Sequence, residues 1–125
     1  MTTVREQTAA NPWTPTAPAG LKFDQDKPRM DLIDAYAMEQ LAKVLTFGAK
    51  KYAPHNWRKG IQTSRLLAAA FRHLFDFQRG VNNDGETGLP HLAHAMCCIM
   101  FMLWLQENRP ELDDRYGATD TEDLA

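Results

Sequence analysis

One apolar stretch constrains the fold of this chain more than any other feature. From Ala95 to Leu105, eleven consecutive residues are apolar (AMCCIMFMLWL). If this stretch is helical, it is apolar on every side, and a helix of that kind is buried on every side. Two further helices in a small chain cannot easily surround it, so we expect a second subunit to complete the burial. A membrane span is the rival interpretation, but a bilayer needs ~20 apolar residues.

The spacing of apolar residues predicts three main helices. The first runs from about Ala35 to Tyr52, with Asp34 as its expected N-cap. The second runs from about Ser64 to Arg79, and the third from near Pro90 to Gln106. We therefore predict an all-α fold, a helical bundle of about three main helices that is completed by oligomerisation.

Length and composition indicate one globular domain with two weak ends. The chain has 125 residues, of which 44% are hydrophobic and 24% charged. We predict a disordered N-terminal arm over 1–20, a helical domain over 21–107 and an acidic C-terminal tail over 108–125. The adjacent Cys97 and Cys98 cannot form a disulfide framework, and no secretory signal is evident. These features predict a reduced, cytoplasmic location.

A run of basic residues lies in the middle of the chain. Between Gln40 and Phe75 there are seven lysines and arginines and no acid. Such a run is typical of a protein that binds an anion, either nucleic acid or small phosphates, but it is also typical of a solvated basic face. Charge alone leaves both interpretations open.

Two histidines at the start of the third predicted helix are candidate metal ligands. His91 and His94 are three residues apart, so they share a helix face, and two imidazoles at that spacing can bind one ion. Asp84 and Glu86 precede them in a short loop and add carboxylates. The alternative is that the acids cap the helix and the histidines are buried and hydrogen-bonded. Glu39 either pairs with Lys43 or supplies a further ligand from the first helix.

The remaining candidates concern substrate. His73 lies on or beside the apolar face of the second helix, where it needs a polar partner or a ligand. Asn56 can hydrogen-bond a base edge and Trp57 can stack on a purine, although the same pair often closes a loop onto a core. The basic residues before the first helix could bind phosphate oxygens. The chain lacks P-loop, GxGxxG, GxSxG and CxxC motifs.

Four segments together resemble a known family. They are KFDQDKPRMDL (Lys22–Leu32), LAKVLTFGAKKYAPHNWRKG (Leu41–Gly60), RHLF (Arg72–Phe75) and DGETGLPHLAHAMCC (Asp84–Cys98). In these segments the chain is similar to the phage dATP/dGTP diphosphohydrolases (MazZ-type), which are related to the MazG-like all-α nucleotide pyrophosphatases. The resemblance implies an all-α bundle of several subunits that hydrolyses a purine deoxynucleoside triphosphate to its monophosphate and pyrophosphate with Mg²⁺ or Mn²⁺. The ExxE and ExxD pairs of MazG-like proteins have no position-by-position counterpart here, where the third helix carries HxxH.

These observations give one leading hypothesis, a metal-dependent nucleoside triphosphate diphosphohydrolase. Its substrate would be dGTP or dATP and its assembly a homo-oligomer (dimer or tetramer), with no membrane or nucleic-acid partner. The expected catalytic residues are His73 and Glu86. The expected ligands of Mg²⁺ or Mn²⁺ are drawn from Glu39, Asp84, Glu86, His91 and His94. The expected substrate-binding residues are Lys22, Lys27, Arg29, Lys51, Asn56, Trp57, Arg58 and Arg72. The alternative is a phage nucleotide- or nucleic-acid-binding helical module without enzymatic activity.

Overall fold

The computed structural model describes residues 20–118, so the arm predicted over 1–20 and the end of the predicted tail lie largely outside the described residues. The chain divides into two units, Met1–Asp34 and Ala35–Ala125. In the described part of the first unit, a 3-10 turn spans Met30–Leu32. Arg29 pairs there with Asp31 across 2.7 Å.

The second unit is built from three helices, as the apolar spacing predicts. They are α1 (Ala35–Lys51), α2 (Thr63–Gln78) and α3 (His91–Asn108). Two 3-10 turns, Asn56–Lys59 and Pro110–Leu112, follow α1 and α3. Residues 20–118 contain no β-strand. The predicted all-α class with three main helices is confirmed, and each helix starts and ends within two residues of its predicted limits.

Helix α3 is the central element, because α1 and α2 both pack against it. Small side chains allow the close approach: Ala93 and Cys97 of α3 are buried against Leu41 and Val44 of α1. Helix α2 runs antiparallel to α3, since His73 near the end of α2 contacts His91 at the start of α3. This packing brings the polar start of α3 next to the second half of α2.

Helices α1 and α2 do not bury α3 on all sides, in line with the expectation that two further helices of a small chain cannot surround it. Leu92, Ile99 and Leu103 of α3 remain 45%, 51% and 68% exposed. The exposed apolar residues of the neighbouring helix α2 are Phe71, Leu74, Phe75 and Phe77. No described helix is long and apolar enough to cross a membrane.

The first residues of the predicted acidic tail are folded against the start of α2. The Asp114 carboxylate accepts hydrogen bonds from the Ser64 amide at 2.8 Å and the Ser64 hydroxyl at 2.6 Å. It thereby satisfies an N–H that the first turn of a helix leaves without an intrahelical partner. Gly60 has φ +117°, and a Cβ atom there would lie 2.9 Å from Leu112. Position 60 therefore requires glycine, because both its positive φ and the nearby Leu112 side chain disfavour a Cβ atom there.

Candidate active site

A cavity of about 950 Å³ lies within the second unit. Its walls are the second half of α1 with the following turn, one face of α2, the loop before α3, and the face of α3 that carries His94 and Phe101. On α2, the lining residues Arg65, Ala69 and His73 recur every four residues, so they form one row along the helix. The cavity therefore extends along the α2–α3 groove.

One end of this cavity carries a cluster of metal-ligating side chains. His73, Asp84 and His91 each offer one ligand atom, and these three atoms lie within 4.8 Å of one another. The Nδ1 atoms of His73 and His91 are 2.9 Å apart. His73 and Asp84 line the cavity, whereas His91 is buried at 4% exposure. The Nε2 atom of His91 faces the Asp76 carboxylate at 3.8 Å.

The loop before α3 fixes Asp84 and His94 through Thr87. The Thr87 hydroxyl donates to Asp84 Oδ2 at 3.0 Å, because an ionised carboxylate can only accept. The hydroxyl oxygen accepts the Leu89 amide proton at 3.1 Å and faces His94 Nε2 at 2.7 Å. Because the Thr87 hydroxyl donates its proton to Asp84, the proton between Thr87 and His94 must be on Nε2 of His94. Nδ1 of His94 then keeps its lone pair.

Electrostatics keep these groups in the forms that bind metal ions. Burial lowers the pKa of His73, and the charges that His94 and His91 would carry lower it further. Burial also lowers the pKa of His94. Burial acts to raise the pKa of Asp84, but hydrogen bonds from Thr87 and the nearby histidines outweigh it and the pKa lies below its ordinary value. These shifts favour neutral imidazoles at His73 and His94 and an ionised carboxylate at Asp84, the state in which each side chain can bind a metal ion.

The donor set of the cluster fits a divalent transition metal. Donor atoms bound at about 2.1 Å to one ion lie ~3–4 Å apart, so small side-chain rotations bring His73, Asp84 and His91 to bonding distance. Two imidazoles with one carboxylate suit Mn²⁺ and its heavier neighbours, whereas Mg²⁺ prefers oxygen ligands. Because His73 and Asp84 line the cavity, further coordination positions would face it.

Aromatic side chains form the opposite end of the cavity. The indole of Trp57 stacks on Phe101, with ring centroids 4.5 Å apart, and meets Trp104 edge-on at 5.1 Å. The guanidinium of Arg58 lies 5.3 Å from the ring centroids of both Trp57 and Trp104. Phe101 and Arg58 thus already engage the indole of Trp57. Tyr52 lies in a different part of the cavity wall, next to Lys51, whose ammonium is 5.5 Å from the centroid of its ring; Lys51 pairs with Glu86 of the loop before α3, and Tyr52 is 65% exposed.

Comparison with known proteins identifies the family. A family model described as the N-terminal part of dATP/dGTP diphosphohydrolases matches residues 17–115. The chain belongs to the dATP/dGTP diphosphohydrolase family. A curated relative with that name, from Salmonella phage PMBT28, is 46% identical over 96 residues, which are 77% of this chain and 33% of the relative. The chain thus spans about a third of the length of this relative. No solved structure matches it.

The structure gathers some of the predicted site residues and leaves others apart. Membership of the diphosphohydrolase family confirms the resemblance inferred from the four segments, but it assigns no role to any residue. Of the predicted ligands, Asp84, Glu86 and His94 line the cavity, while Glu39 is exposed and lies 4.0 Å from Lys43. Glu86 pairs with Lys51 at 3.3 Å instead of joining the metal-ligating cluster.

The predicted substrate-binding residues divide in the same way. Lys51, Asn56, Trp57 and Arg58 line the cavity, and Arg72 does not. The predicted phosphate-binding residues before α1 (Lys22, Lys27 and Arg29) belong to the first unit. Sequence reasoning missed Arg65 and Thr87. Arg65 could have been found from its spacing, because it lies eight residues, or two four-residue steps, before His73 on one helix.

Proposed function

We propose that the chain hydrolyses dATP or dGTP to the monophosphate and pyrophosphate in a reaction that depends on a divalent metal. The observation that carries this proposal is the grouping of His73, Asp84 and His91 at one end of a cavity large enough for a nucleotide. The name of the phage relative, a dATP/dGTP diphosphohydrolase, supports the choice of substrate.

His73, Asp84 and His91 would hold the ion, and their nitrogen-rich donor set favours Mn²⁺ over Mg²⁺. A divalent ion at such a site supplies Lewis-acid polarisation of phosphoryl oxygens and makes a nearby water easier to deprotonate. Asp76 lies behind His91, at 3.8 Å from Nε2, in the place of the carboxylates that orient ligating imidazoles.

The proton of the attacking water needs an acceptor, and His94 supplies one. Its ring stacks on that of His73 at 4.6 Å, and its Nδ1 keeps a lone pair because Nε2–H is held by Thr87. In the proposed step the water oxygen bonds to the α-phosphorus and its proton passes to Nδ1 of His94. The bond from the α-phosphorus to the bridging oxygen breaks, and pyrophosphate leaves with that electron pair.

Base recognition falls to the cavity wall beside α1. Tyr52 offers an exposed ring in this wall, whereas Trp57 is already stacked on Phe101. Stacking on an accessible aromatic ring is a common mode of nucleobase binding. Asn56 also lines the cavity and can hydrogen-bond a base edge.

The direct test is to incubate purified protein with each canonical deoxynucleoside triphosphate and Mn²⁺ and to measure pyrophosphate. Release from dGTP or dATP that is lost in Asp84→Asn, and kept in Glu107→Gln, supports the proposal. Glu107 is an exposed acid at the end of α3 that does not line the cavity, so its variant removes one negative charge elsewhere. Absence of pyrophosphate with all four substrates contradicts it.

A second candidate is a nucleotide-binding module without turnover. The observation that favours it is that Lys51, Arg58 and Arg65 line the cavity, and these cations can bind phosphates without a metal ion. A module of this kind keeps its nucleotide affinity in EDTA and after His91→Ala, whereas the hydrolase loses turnover under both conditions.

A homo-oligomer completes this proposal, as the apolar character of α3 predicts. Helices α2 and α3 pack against each other and each carries exposed apolar residues, and a second copy is the occupant we propose for this exposed apolar surface. Light scattering on the wild type should give the mass of a dimer or tetramer. Leu103→Glu should shift the mass to that of one chain, and an unchanged mass contradicts the use of this face.

A further inference from the structure

The cavity has two chemically different ends, and only one is explained by the metal-ligating cluster. Because α2 and α3 are antiparallel, the start of α2 lies beside the end of α3, opposite the histidines. Arg65 is two turns before His73, about 12 Å along the helix axis at 1.5 Å per residue. Arg58, held beside Trp104 of α3, belongs to the same end.

Within the described part of the chain, the two arginines at this end lack acidic partners. Among residues 20–118, neither Arg58 nor Arg65 forms an ion pair. Lys51 is the contrasting case, because its ammonium is already neutralised by Glu86. A cavity wall with two uncompensated guanidinium groups attracts anions, and guanidinium binds phosphate oxygens in a bidentate manner.

The aromatic contacts give Arg58 a fixed orientation. Its guanidinium lies over both Trp57 and Trp104, and such cation–π contacts restrain the side chain before any ligand arrives. Restraint of this kind lowers the entropy lost on binding. Arg65, Ala69 and His73 lie in one row along α2. A ligand that extends from His73 along this row therefore passes Ala69 and then contacts Arg65.

We infer that Arg65 together with Arg58 binds the two outer phosphates of the nucleotide, the part that leaves as pyrophosphate. The inference rests on the proposed function only in placing the α-phosphate at the His73 end. The nucleoside then lies toward Tyr52, and the β- and γ-phosphates lie toward Arg58 and Arg65. Arg65 would select triphosphates over monophosphates, because a monophosphate has no group that reaches it.

Binding measurements test this assignment without turnover. The probes are the α,β-methylene analogue of dGTP, which cannot be cleaved at that bond, dGMP and inorganic pyrophosphate, each titrated by calorimetry with Mn²⁺ present. In Arg65→Gln the affinity for the analogue and for pyrophosphate should fall about 10- to 100-fold, the usual loss for a hydrogen-bonded charge. The affinity for dGMP should stay within about twofold. Arg65→Lys should restore part of the loss.

Lys50→Gln is the matched control, because Lys50 is an exposed cation of α1 that does not line the cavity. Circular dichroism establishes that each variant is folded. Equal weakening of dGMP and the analogue, or no weakening of the analogue, overturns the inference, as does a wild type that binds neither the analogue nor pyrophosphate. Selective weakening in a protein that binds the analogue but releases no pyrophosphate from any canonical deoxynucleoside triphosphate supports the inference and rejects the proposed hydrolysis.

Discussion

Thr87 is the residue whose removal tests the architecture of the site most directly. Its hydroxyl contacts the Asp84 carboxylate at 3.0 Å, the Leu89 amide at 3.1 Å and His94 Nε2 at 2.7 Å. Thr87→Val keeps the shape of the side chain and removes all three contacts. It leaves the amide of Leu89 and the imidazole N–H of His94 without this acceptor in a half-buried loop.

The expected cost follows from the three bonds. A hydrogen bond contributes about 0.5–1.5 kcal/mol, and one to an ionised group about 1.5–3 kcal/mol. Water reaches part of this loop and replaces some of the loss, so we expect the free energy of unfolding to fall by about 2–3 kcal/mol in urea at neutral pH. Thr87→Ser keeps the hydroxyl and removes one methyl group, which costs about 0.8 kcal/mol or less at this depth.

The same variant changes the acid response of stability. The pKa of Asp84 lies below its ordinary value, so its contribution is present above the unfolded-state pKa and is lost as the pH falls through the native one. Without Thr87 that pKa rises toward its unfolded value, and stability should decline less steeply in acid. Equal unfolding free energies for Thr87→Val and Thr87→Ser across this range would refute the proposed hydrogen-bond network.

Three further predictions address other parts of the structure. Asp76→Asn should weaken Mn²⁺ binding about 10-fold by calorimetry, because it removes the negative charge 3.8 Å from His91 Nε2, which makes that imidazole a stronger ligand. Unchanged affinity would remove Asp76 from the site. Burial, with a smaller effect of Cys98, raises the pKa of Cys97 to about 12, so a thiol reagent at pH 8 should modify it at least about 10-fold faster in urea than in the native protein. Asp114→Asn should lower Tm at neutral pH and speed amide hydrogen exchange at Ser64. Hydrogen bonds from Ser64 lower the pKa of Asp114, so the contribution of its carboxylate to stability is lost as the pH falls through that pKa. The Tm difference from wild type should therefore shrink in acid.

The helices were predictable because their signals are local. Apolar residues at steps of three and four, with Pro54, Gly80 and Pro90 between the segments, place α1, α2 and α3 within two residues of where they lie. The fold around the end of α3 was not predictable in the same way. The carboxylate that caps α2 comes from Asp114, fifty residues after Ser64, and no local sequence pattern predicts a partner at that distance.

The site was predictable in composition and not in arrangement. The HxxH spacing placed His91 and His94 on one helix face, and both rings contact His73, yet their polar partners differ: His91 Nδ1 faces His73, and His94 Nε2 faces Thr87. The contacts with His73 arise from the packing of α2 on α3, and the contact with Thr87 arises from the loop before α3; spacing within one helix encodes neither. For the same reason Glu39 was an attractive ligand in the sequence, although in the structure it lies beside Lys43 on an exposed face.

The charge of the metal-ligating cluster determines how much of the negative charge of a bound triphosphate the rest of the protein has to neutralise. A site of four carboxylates, as in MazG-like proteins, can compensate two divalent ions, and those ions then balance the phosphates. In the proposed site, the side chains of His73, His91 and Asp84 would contribute a single negative charge when they bind a metal, so one divalent ion would keep one positive charge. The remaining negative charge of a triphosphate must then be met by the protein itself. Arg58 and Arg65, without acidic partners among the described residues, are the groups placed to do so. Replacing both arginines should therefore impair triphosphate binding more than raising the Mn²⁺ concentration can restore.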